Sequence, residues 1–585
     1  MTSPGPSRAE TRLRPPDPRW AVPARPEATR VDELSVALSL PPTLCSVLVA
    51  RGHTEPDPAK RFLRPLLDHL HDPALLADGR RAAKRIVEAI RGNEAIFVHG
   101  DYDVDGICAT ALLTRWLRYL GATVTPFVPH RLRDGYDFSA AGLAAAQEAG
   151  AGLIVTVDCG SLAHETIAAA GAAGIDVIVT DHHTVVEPIP DAFAFVNPQR
   201  PDCPYPEKGL CGAGLAYKVS ALVGAEVGAD LDGLVTYLDL VALATVADLV
   251  PLEGENRVLV HYGLRRFPQT RVPGVGALLR VAKVDASEVT AGQIGYVVAP
   301  RINAAGRIGD SADALRLLLT ESDVEATALA AELDVTNGLR REEDQRTLDE
   351  ALEWLSAHYD PRSDFGVVLA GEGWHAGVIG IVASRVVERI HRPVVMISVG
   401  ENMGRGSARS IPGFDVYEAL VECSAQLDRF GGHRQAAGMD IRPEAVADFR
   451  RAFNEAARAR LETHDLRPVL RPDVDIHLSD IDLKLVRWLA YLGPHGMGNP
   501  GPLFRAREIV LEEPRVVGAN HLKVTLVQRG ARLDAIGFGL ADRFPVETLG
   551  GAAYDALFRL ERNEWRGRAR PQAKLADLRP SGSDD

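Results

Sequence analysis

The stretch HGDYDVDG (His99–Gly106) follows directly on the apolar run Ala95–Val98 and sets Asp101, Asp103 and Asp105 at alternate positions. Like charges this close repel, and carboxylates gathered at a strand's end are costly unless a cation compensates. Hard oxygen ligands of this kind suit Mg2+ or Mn2+. The spacing opens like a calcium-binding EF-hand loop. However, no Glu stands six residues after Gly106, and the chain continues as the apolar helix ICATALL (107–113). That continuation argues against a calcium loop.

Working outward, the same unit recurs. LIVTV (153–157) leads to Asp158-Cys159-Gly160 and an Ala-rich helix, and DVIVT (176–180) leads to Asp181-His182-His183. Apolar strands without polar alternation, separated by helices, predict a parallel sheet buried on both faces. The polar clusters then stand at the carboxyl ends of the strands, where open α/β sheets place their sites. Asp248, inside the apolar ALATVADLVPL (242–252), must be paired, capped or ligating. These acids and histidines suffice for two metal ions about 3.5–4 Å apart, an arrangement suited to phosphoryl chemistry. Of the two adjacent histidines, one can ligate while the other faces substrate. Neither a Walker loop nor a GxSxG elbow is present. The expected chemistry is therefore hydrolysis with a metal-activated water.

The 585 residues imply about three or four domains. A net charge of −14 argues against a non-specific nucleic-acid coat, but a local basic groove is compatible with it. The six cysteines form no CxxC pair and read as reduced thiols. The N-terminus lacks the apolar core of a signal peptide, and no stretch approaches the ~20 apolar residues of a membrane span. The expected location is the cytoplasm.

The domain expectation is a flexible arm over 1–34 and a catalytic domain with N-terminal helices over 35–290. A helical connector follows over 291–360, and a second, smaller α/β domain over 361–463. From 464 to 578, short strands with turns predict a β-barrel of oligonucleotide-binding (OB) type, followed by a tail over 579–585. Four basic or glycine-rich loops suggest an extended phosphate track. PHRLRDGYD (129–137) carries Arg131. APRINAAGRIGD (299–310) carries Arg301, Asn303 and Arg307. GRGSARS (404–410) carries Ser407 and Arg409. RFGGHRQAAG (429–438) carries Gly432 and His433.

HGDYDVDG, TVDCG, TDHH and TVADLVPL, in that order, resemble the motifs of the DHH phosphoesterases. APRINAAGR, EGWHAGVIGIVASR, GSARS, RFGGHRQAAGM and YLGPHGMGNPGPLF are similar to further motifs of the bacterial RecJ group within them. The resemblance runs from about residue 35 to about 575. It implies a single-stranded-DNA-specific exonuclease that works 5′ to 3′, releases nucleoside 5′-monophosphates with two Mn2+ or Mg2+ ions, and serves recombination and repair. It assigns Asp101, Asp103, Asp105, Asp158, His182 and Asp248 to the metals, with Asp101 the least defined. His183 would meet the scissile phosphate, with Asp181 in the catalytic set, and Arg301 would stabilise transition-state charge. Arg131, Ser407 and Arg409 would grip the 5′ phosphate, and His433 would contact substrate phosphates. A single-stranded-DNA-binding protein and a RecQ-type helicase are the implied partners of a monomer. Some relatives carry a further C-terminal domain, for which the chain ends too soon after the barrel. Two competing readings are a small-substrate phosphoesterase, which needs no barrel, and an inactive replication scaffold, which would have lost metal ligands.

Overall fold

The computed structural model describes residues 13, 16–131, 133–135, 137–464, 466–565 and 567–582. The chain forms two compact units. One comprises residues 22–334 and 471–585, and the other residues 335–470 with the segment up to Ala21.

The first unit is built on five parallel strands, in the spatial order Val124–Phe127, Ile96–His99, Leu153–Val157, Asp176–Thr180, Ala194–Val196. Period-two alternation divides their side chains between two cores. Ile96, Val98, Val155 and Ile178 pack on the helices Val104–Tyr119, Gly212–Val227 and Leu238–Ala247. Phe97, Ile154, Val177 and Val179 pack on Ala140–Glu148 and His164–Ala172. Both faces are dry, which is why these strands read as unbroken apolar runs. Strand order reverses between Ile96–His99 and Leu153–Val157, so a crevice opens at their carboxyl ends.

The C-terminal part of this unit is a barrel. Phe504–Val517, His521–Gln528, Ala531–Gly537, Arg568–Pro580 and Tyr554–Trp565 follow one another, and the last closes onto the first through Phe558 opposite Phe504. Burial alternates strictly along His521–Gln528, as a half-buried strand requires.

Four boundaries differ from expectation. The helices Ala28–Leu38, Pro42–Ala50 and Pro56–Leu63 fall within the expected arm and catalytic domain. Their Leu34, Leu44, Val47, Leu48 and Leu63 instead share one core with Leu489, Leu522, Phe558 and Leu575 of the barrel. Arg51 seals the contact with a two-pronged bond to Asp473 (2.7 and 3.2 Å). An apolar helix face records that it is buried, not against what. The arm also ends earlier than expected: Arg19–Trp20 pairs in parallel with Val469–Leu470 in the second unit. Residues 1–12 and 14–15 of it lie outside the described residues.

The expected connector is shorter too. Ile294, Val298, Ile302, Leu315, Leu318 and Leu333 belong to the catalytic core. The chain leaves that unit only at Asp334, about a third of the way along the 36-residue helix Asp323–His358. Finally, the last barrel strand runs to Pro580, and the Ser581 N–H donates to the Ala553 carbonyl (2.9 Å), so the tail begins later than 579. Its residues 583–585 lie outside the described residues.

The second unit has a mixed sheet in the order Arg429–His433, Ala436–Ile441, Gly404–Arg409, Val394–Val399, Val367–Glu372, in which only the last two strands are parallel. Helices Ile379–Ile390, Val416–Glu422 and Val446–Leu461 cover it. Among the described residues, no helix is long and apolar enough to cross a membrane.

Leu48 is fully buried in the shared core of the N-terminal helices and the barrel. Leu48→Ala should destabilise the barrel by about 2–5 kcal/mol, seen as an earlier urea transition. An unchanged transition would show that the N-terminal helices do not complete the barrel core.

Candidate metal centre and phosphate contacts

Asp101, Asp103, Asp105 and Asp158 are delivered by one device: a strand ends, the chain turns at the sheet's carboxyl edge, and a helix starts back. Asp103 caps the helix Val104–Tyr119, its Oδ1 accepting from the N–H groups of Asp105 (2.9 Å) and Gly106 (3.1 Å). The two oxygens of Asp105 accept from the N–H groups of Gly212 (2.6 Å) and Ala213 (2.7 Å), the first turn of Gly212–Val227. A helix N-terminus favours the anion there. Gly212 has to be glycine, because a Cβ would stand 2.5 Å from Cβ of Asp158. Asp158 itself sits in the left-handed region (φ 62°), a strained conformation of the kind that gathers at functional sites. Asp248 ends the helix Leu238–Ala247.

The side chains converge as two triads, Asp101–Asp103–Asp158 and Asp105–His182–Asp248, each with ligand atoms within 4.8 Å of one another. Asp158 also groups with His182 and His183, and so lies between the two. His182 Nε2 is 3.0 Å from Asp158 Oδ1 and 3.7 Å from both Asp105 Oδ2 and Asp248 Oδ2. Although close, His182 Nε2 and Asp158 Oδ1 are not aligned as donor and acceptor. Among the described residues, neither atom has a hydrogen-bond partner, and nor does Asp101 Oδ1. Buried lone pairs facing one another without hydrogens between them fit the edge of a coordination shell.

The electrostatics agree with that fit. Burial, reinforced by the neighbouring carboxylates, raises Asp101 and Asp158 well above the ordinary carboxylate range. Burial, with the repulsion of Asp105 and Asp103, pushes Asp248 up to about 8. Burial lowers His182, leaving the neutral imidazole that can ligate. Five carboxylates and one imidazole are a donor set suited to Mn2+ and Mg2+.

Asp181 differs from the other acids. Its Oδ1 accepts from the backbone N–H groups of His182 (2.7 Å) and His183 (3.2 Å) and lies 2.8 Å from His183 Nδ1, while Oδ2 accepts from the Ser161 N–H (3.0 Å). Burial alone would raise its pKa, but the His183 bond and charge hold it well below the usual range. Burial likewise opposes charge on His183, yet the bond to Asp181 prevails and lifts it to about 9. Asp181 therefore orients a cationic imidazole at the rim of the cage.

The remaining expected residues fall into two groups. In the first unit, Arg301 follows a π-helical turn (Ile294–Val298). It is nearly buried, donating to the Val297 carbonyl and pairing with Asp334 (2.8 Å). Asn303 Oδ1 accepts from the Val104 N–H (3.3 Å), tying this helix to the first motif. A Cβ on Gly306 would stand 2.5 Å from the Tyr102 carbonyl oxygen, so the contact is close. The Arg131 guanidinium lies over the Tyr102 ring (5.2 Å), and Arg307 also acts on that hydroxyl.

In the second unit, Arg409 Nη1 donates to Ser407 Oγ (3.0 Å). A Cβ on Gly380 would fall 2.8 Å from Arg409 Nη2 and 2.9 Å from Ser407 Oγ, which places both side chains at the N-terminus of helix Ile379–Ile390. Serine, arginine and helix terminus together present the donors an anion would take. His433 stands opposite Ala436, which stands opposite Arg409, so all three share one level of adjacent strands. Gly432 is demanded by the hairpin itself: its φ is 145°, and a Cβ would meet the Ala436 carbonyl oxygen at 2.5 Å.

Three residues of the site's frame escaped the sequence reading. Asn197 Nδ2 donates to the His183 carbonyl (2.9 Å) and to Ser161 Oγ (3.2 Å). It follows the strand Ala194–Val196, so a fourth apolar run with a polar end was a legible signal. Asp137 Oδ1 accepts from the Gly160 N–H (2.5 Å), joining two loops remote in sequence. His99, the opening residue of the first motif, is buried between Phe127 and Phe138, a packing role the sequence reading did not assign it.

Family comparisons agree with this construction. The DHH family N-terminal domain matches residues 95–245, the DHHA1 domain residues 364–459 and the RecJ OB domain residues 472–577. Fold and site thus define a DHH-type phosphoesterase with a C-terminal OB barrel. The single-stranded-DNA-specific exonuclease RecJ of Bacillus subtilis is 36% identical over 563 residues, covering 96% of this chain and 70% of that protein. The enzyme of the same name from Escherichia coli is 34% identical over 94% of this chain and 98% of its own length. The crystal structure of Thermus thermophilus RecJ in complex with Mn2+ superposes with a TM-score of 0.83 at 31% identity, over 97% of this chain and 80% of that one. Its Mg2+ complex gives a TM-score of 0.77 at 30% identity, over 97% and 79%. The chain belongs to the RecJ family of single-stranded-DNA-specific exonucleases.

The raised carboxyl groups carry a testable sign. With Asp248 near 8 and Asp101 and Asp158 above their ordinary range, the metal-free cage holds protons at pH 7 that a cation must displace. Mn2+ binding should release on the order of one or more protons, read by calorimetry in buffers of different ionisation enthalpy. Release should shrink as pH rises past 8. Proton-neutral binding at pH 7 would contradict the electrostatics described.

Proposed function

We propose that the protein hydrolyses single-stranded DNA from the 5′ end, releasing nucleoside 5′-monophosphates. The observation that carries this reading is the pair of triads, Asp101–Asp103–Asp158 and Asp105–His182–Asp248, with Asp158 also grouped with His182, at the sheet edge of a chain that also carries an OB barrel. Asp101, Asp103 and Asp158 would hold one Mn2+ or Mg2+ ion, and Asp105, Asp158, His182 and Asp248 the other. When bound, such a pair polarises the scissile phosphate and activates water for in-line attack.

The chain's own groups do the rest. The His183 imidazolium, fixed by Asp181, donates to a phosphate oxygen and offsets charge that grows as the water oxygen bonds to phosphorus. The bond to the 3′-oxygen of the terminal nucleotide breaks, and that oxygen leaves with a proton. Arg301, pre-aligned by Val297 and Asp334, adds positive charge on the same side of the crevice. Arg131, Asn303 and Arg307 line the approach beside Tyr102. In the second unit, Ser407, Arg409 and the helix terminus at Gly380 bind a terminal phosphate, with His433 on adjacent backbone phosphates. The barrel grips the strand through charge and base stacking. The protein works in the cytoplasm as a monomer in recombination and repair, with a single-stranded-DNA-binding protein and a RecQ-type helicase as partners.

Asp158→Ala should abolish metal-dependent cleavage, a loss of at least about a thousandfold, while ssDNA affinity measured in EDTA stays within about twofold. Wild-type protein given 5′-labelled and 3′-labelled ssDNA, duplex and RNA should release labelled mononucleotide early from the 5′-labelled ssDNA alone. Undiminished hydrolysis by the variant, or early mononucleotide from the 3′ label, would overturn the reading.

A further inference from the structure

The segment GPHGMGNP (493–500) has no part in the mechanism above, although it opens the barrel. Its contacts lead elsewhere. The Met497 carbonyl accepts from the Leu252 N–H (2.8 Å), four residues beyond Asp248. A Cβ on Gly496 would stand 2.7 Å from Leu252 Cδ1, and one on Gly498 (φ 73°) would stand 3.0 Å from Pro251 Cβ. The loop backbone therefore lies directly on the Pro251–Leu252 pair.

A second anchor follows one turn later. Arg257, 2% exposed, gives Nη1 to the Leu492 carbonyl (3.0 Å) and Nη2 to those of Tyr491 (3.1 Å) and Gly493 (2.7 Å). Its Nε donates to the Phe62 carbonyl (2.8 Å), over whose ring the guanidinium lies at 3.9 Å. Asn499, 3% exposed, binds the loop to itself through the carbonyls of Leu492 and Pro494 (2.8 Å each) and accepts from Arg51 (2.9 Å).

The opposite side of the same segment is held by the catalytic core. Asn256 Nδ2 donates to the Gly209 carbonyl (2.5 Å), just before the helix whose first turn binds Asp105. Glu255 is buried against Lys218 of that helix (2.5 Å). Residues 251–257 are thus clamped between the Gly212–Val227 helix and the barrel's entry loop. Asp248 leads directly into this clamp through Leu249, which is held in the left-handed region (φ 59°). A strained residue keeps its conformation only where its surroundings over-determine it.

We propose that the loop Tyr491–Asn499 is a positioning element of the metal centre. It sets the placement of Asp248 relative to Asp105 and His182, so that affinity for the cation at that triad depends on the barrel's entry loop. The proposal rests on the reading of Asp248 as a ligand. It gives the barrel a role in the metal centre besides its grip on DNA.

The test is Mn2+ binding to the full chain by isothermal titration calorimetry, beside ssDNA affinity in EDTA and the Mn2+ dependence of cleavage. Gly496→Ala and Gly498→Ala should each weaken one of two Mn2+ sites by about tenfold, the size of effect seen when the supports of metal ligands are changed. DNA affinity in EDTA should be unchanged, and cleavage should recover at raised Mn2+. Arg257→Lys is a third probe should either glycine variant fail to fold, and is expected to act in the same direction. Asp248→Asn is the control. If it leaves both Mn2+ sites intact, the ligand reading itself is wrong. If it removes a site while the folded loop variants bind Mn2+ like the parent, the positioning role is wrong. Loss of DNA affinity with unchanged Mn2+ binding would also overturn the proposal, making the loop a DNA contact.

Discussion

Mutual repulsion among buried carboxylates is the constraint on which the catalytic unit turns. Asp101, Asp105 and Asp158 are almost wholly withdrawn from water and face one another across a crevice only a few ångströms wide. Relief from the polypeptide is partial: backbone N–H groups reach Asp105, while His182, 3.0 Å from Asp158, is itself driven neutral by burial. The surrounding fold holds such a group together, and a divalent cation would add attractions that outweigh the repulsion between carboxylates. The parallel sheet, the helix N-terminus beneath Asp105 and the strained backbone at Asp158 are the means by which the fold keeps this cluster assembled.

Close approach is the second theme. Gly212 lets a helix terminus come within hydrogen-bonding distance of Asp105 while passing Asp158, and Gly306 lets the Arg301 helix touch the first motif at Tyr102. Gly496 and Gly498 do the same for the barrel loop against Pro251 and Leu252. In each case a side chain would have pushed apart two elements that carry functional groups. Glycines that looked in the sequence like phosphate-binding loops therefore serve partly as spacers of zero thickness, and Gly432 is the clearest example.

The division of labour between Asp181 and His183 shows how environment assigns roles to similar residues. All the acids follow strands or helices of the same unit, and Asp101, Asp105, Asp158 and Asp181 are buried. Asp181 accepts from three backbone N–H groups, two of them from the residues it precedes, and also lies against the His183 ring nitrogen. It consequently stays ionised and holds its neighbour protonated, whereas Asp158, lacking donors, is pushed the opposite way.

The sequence by itself determined the parallel sheet, the placement of Asp101, Asp103, Asp105, Asp158 and Asp181 at its carboxyl edge, and the barrel's existence. Strand periodicity and the position of an acid after its strand are local properties, written in consecutive residues. Tertiary structure alone decided that the helices at 28–63 complete the barrel core, that residues 291–334 belong to the catalytic core, and that Asp137 meets Gly160. These are pairings between surfaces of matching shape and polarity, and an apolar stripe at 34–48 reads the same whichever core covers it. The assignment of Asp248 lies between the two. Its burden as an acid in an apolar run was legible, but the clamp that aims it comes from residues 491–499, more than two hundred positions away, and only the folded chain brings them together.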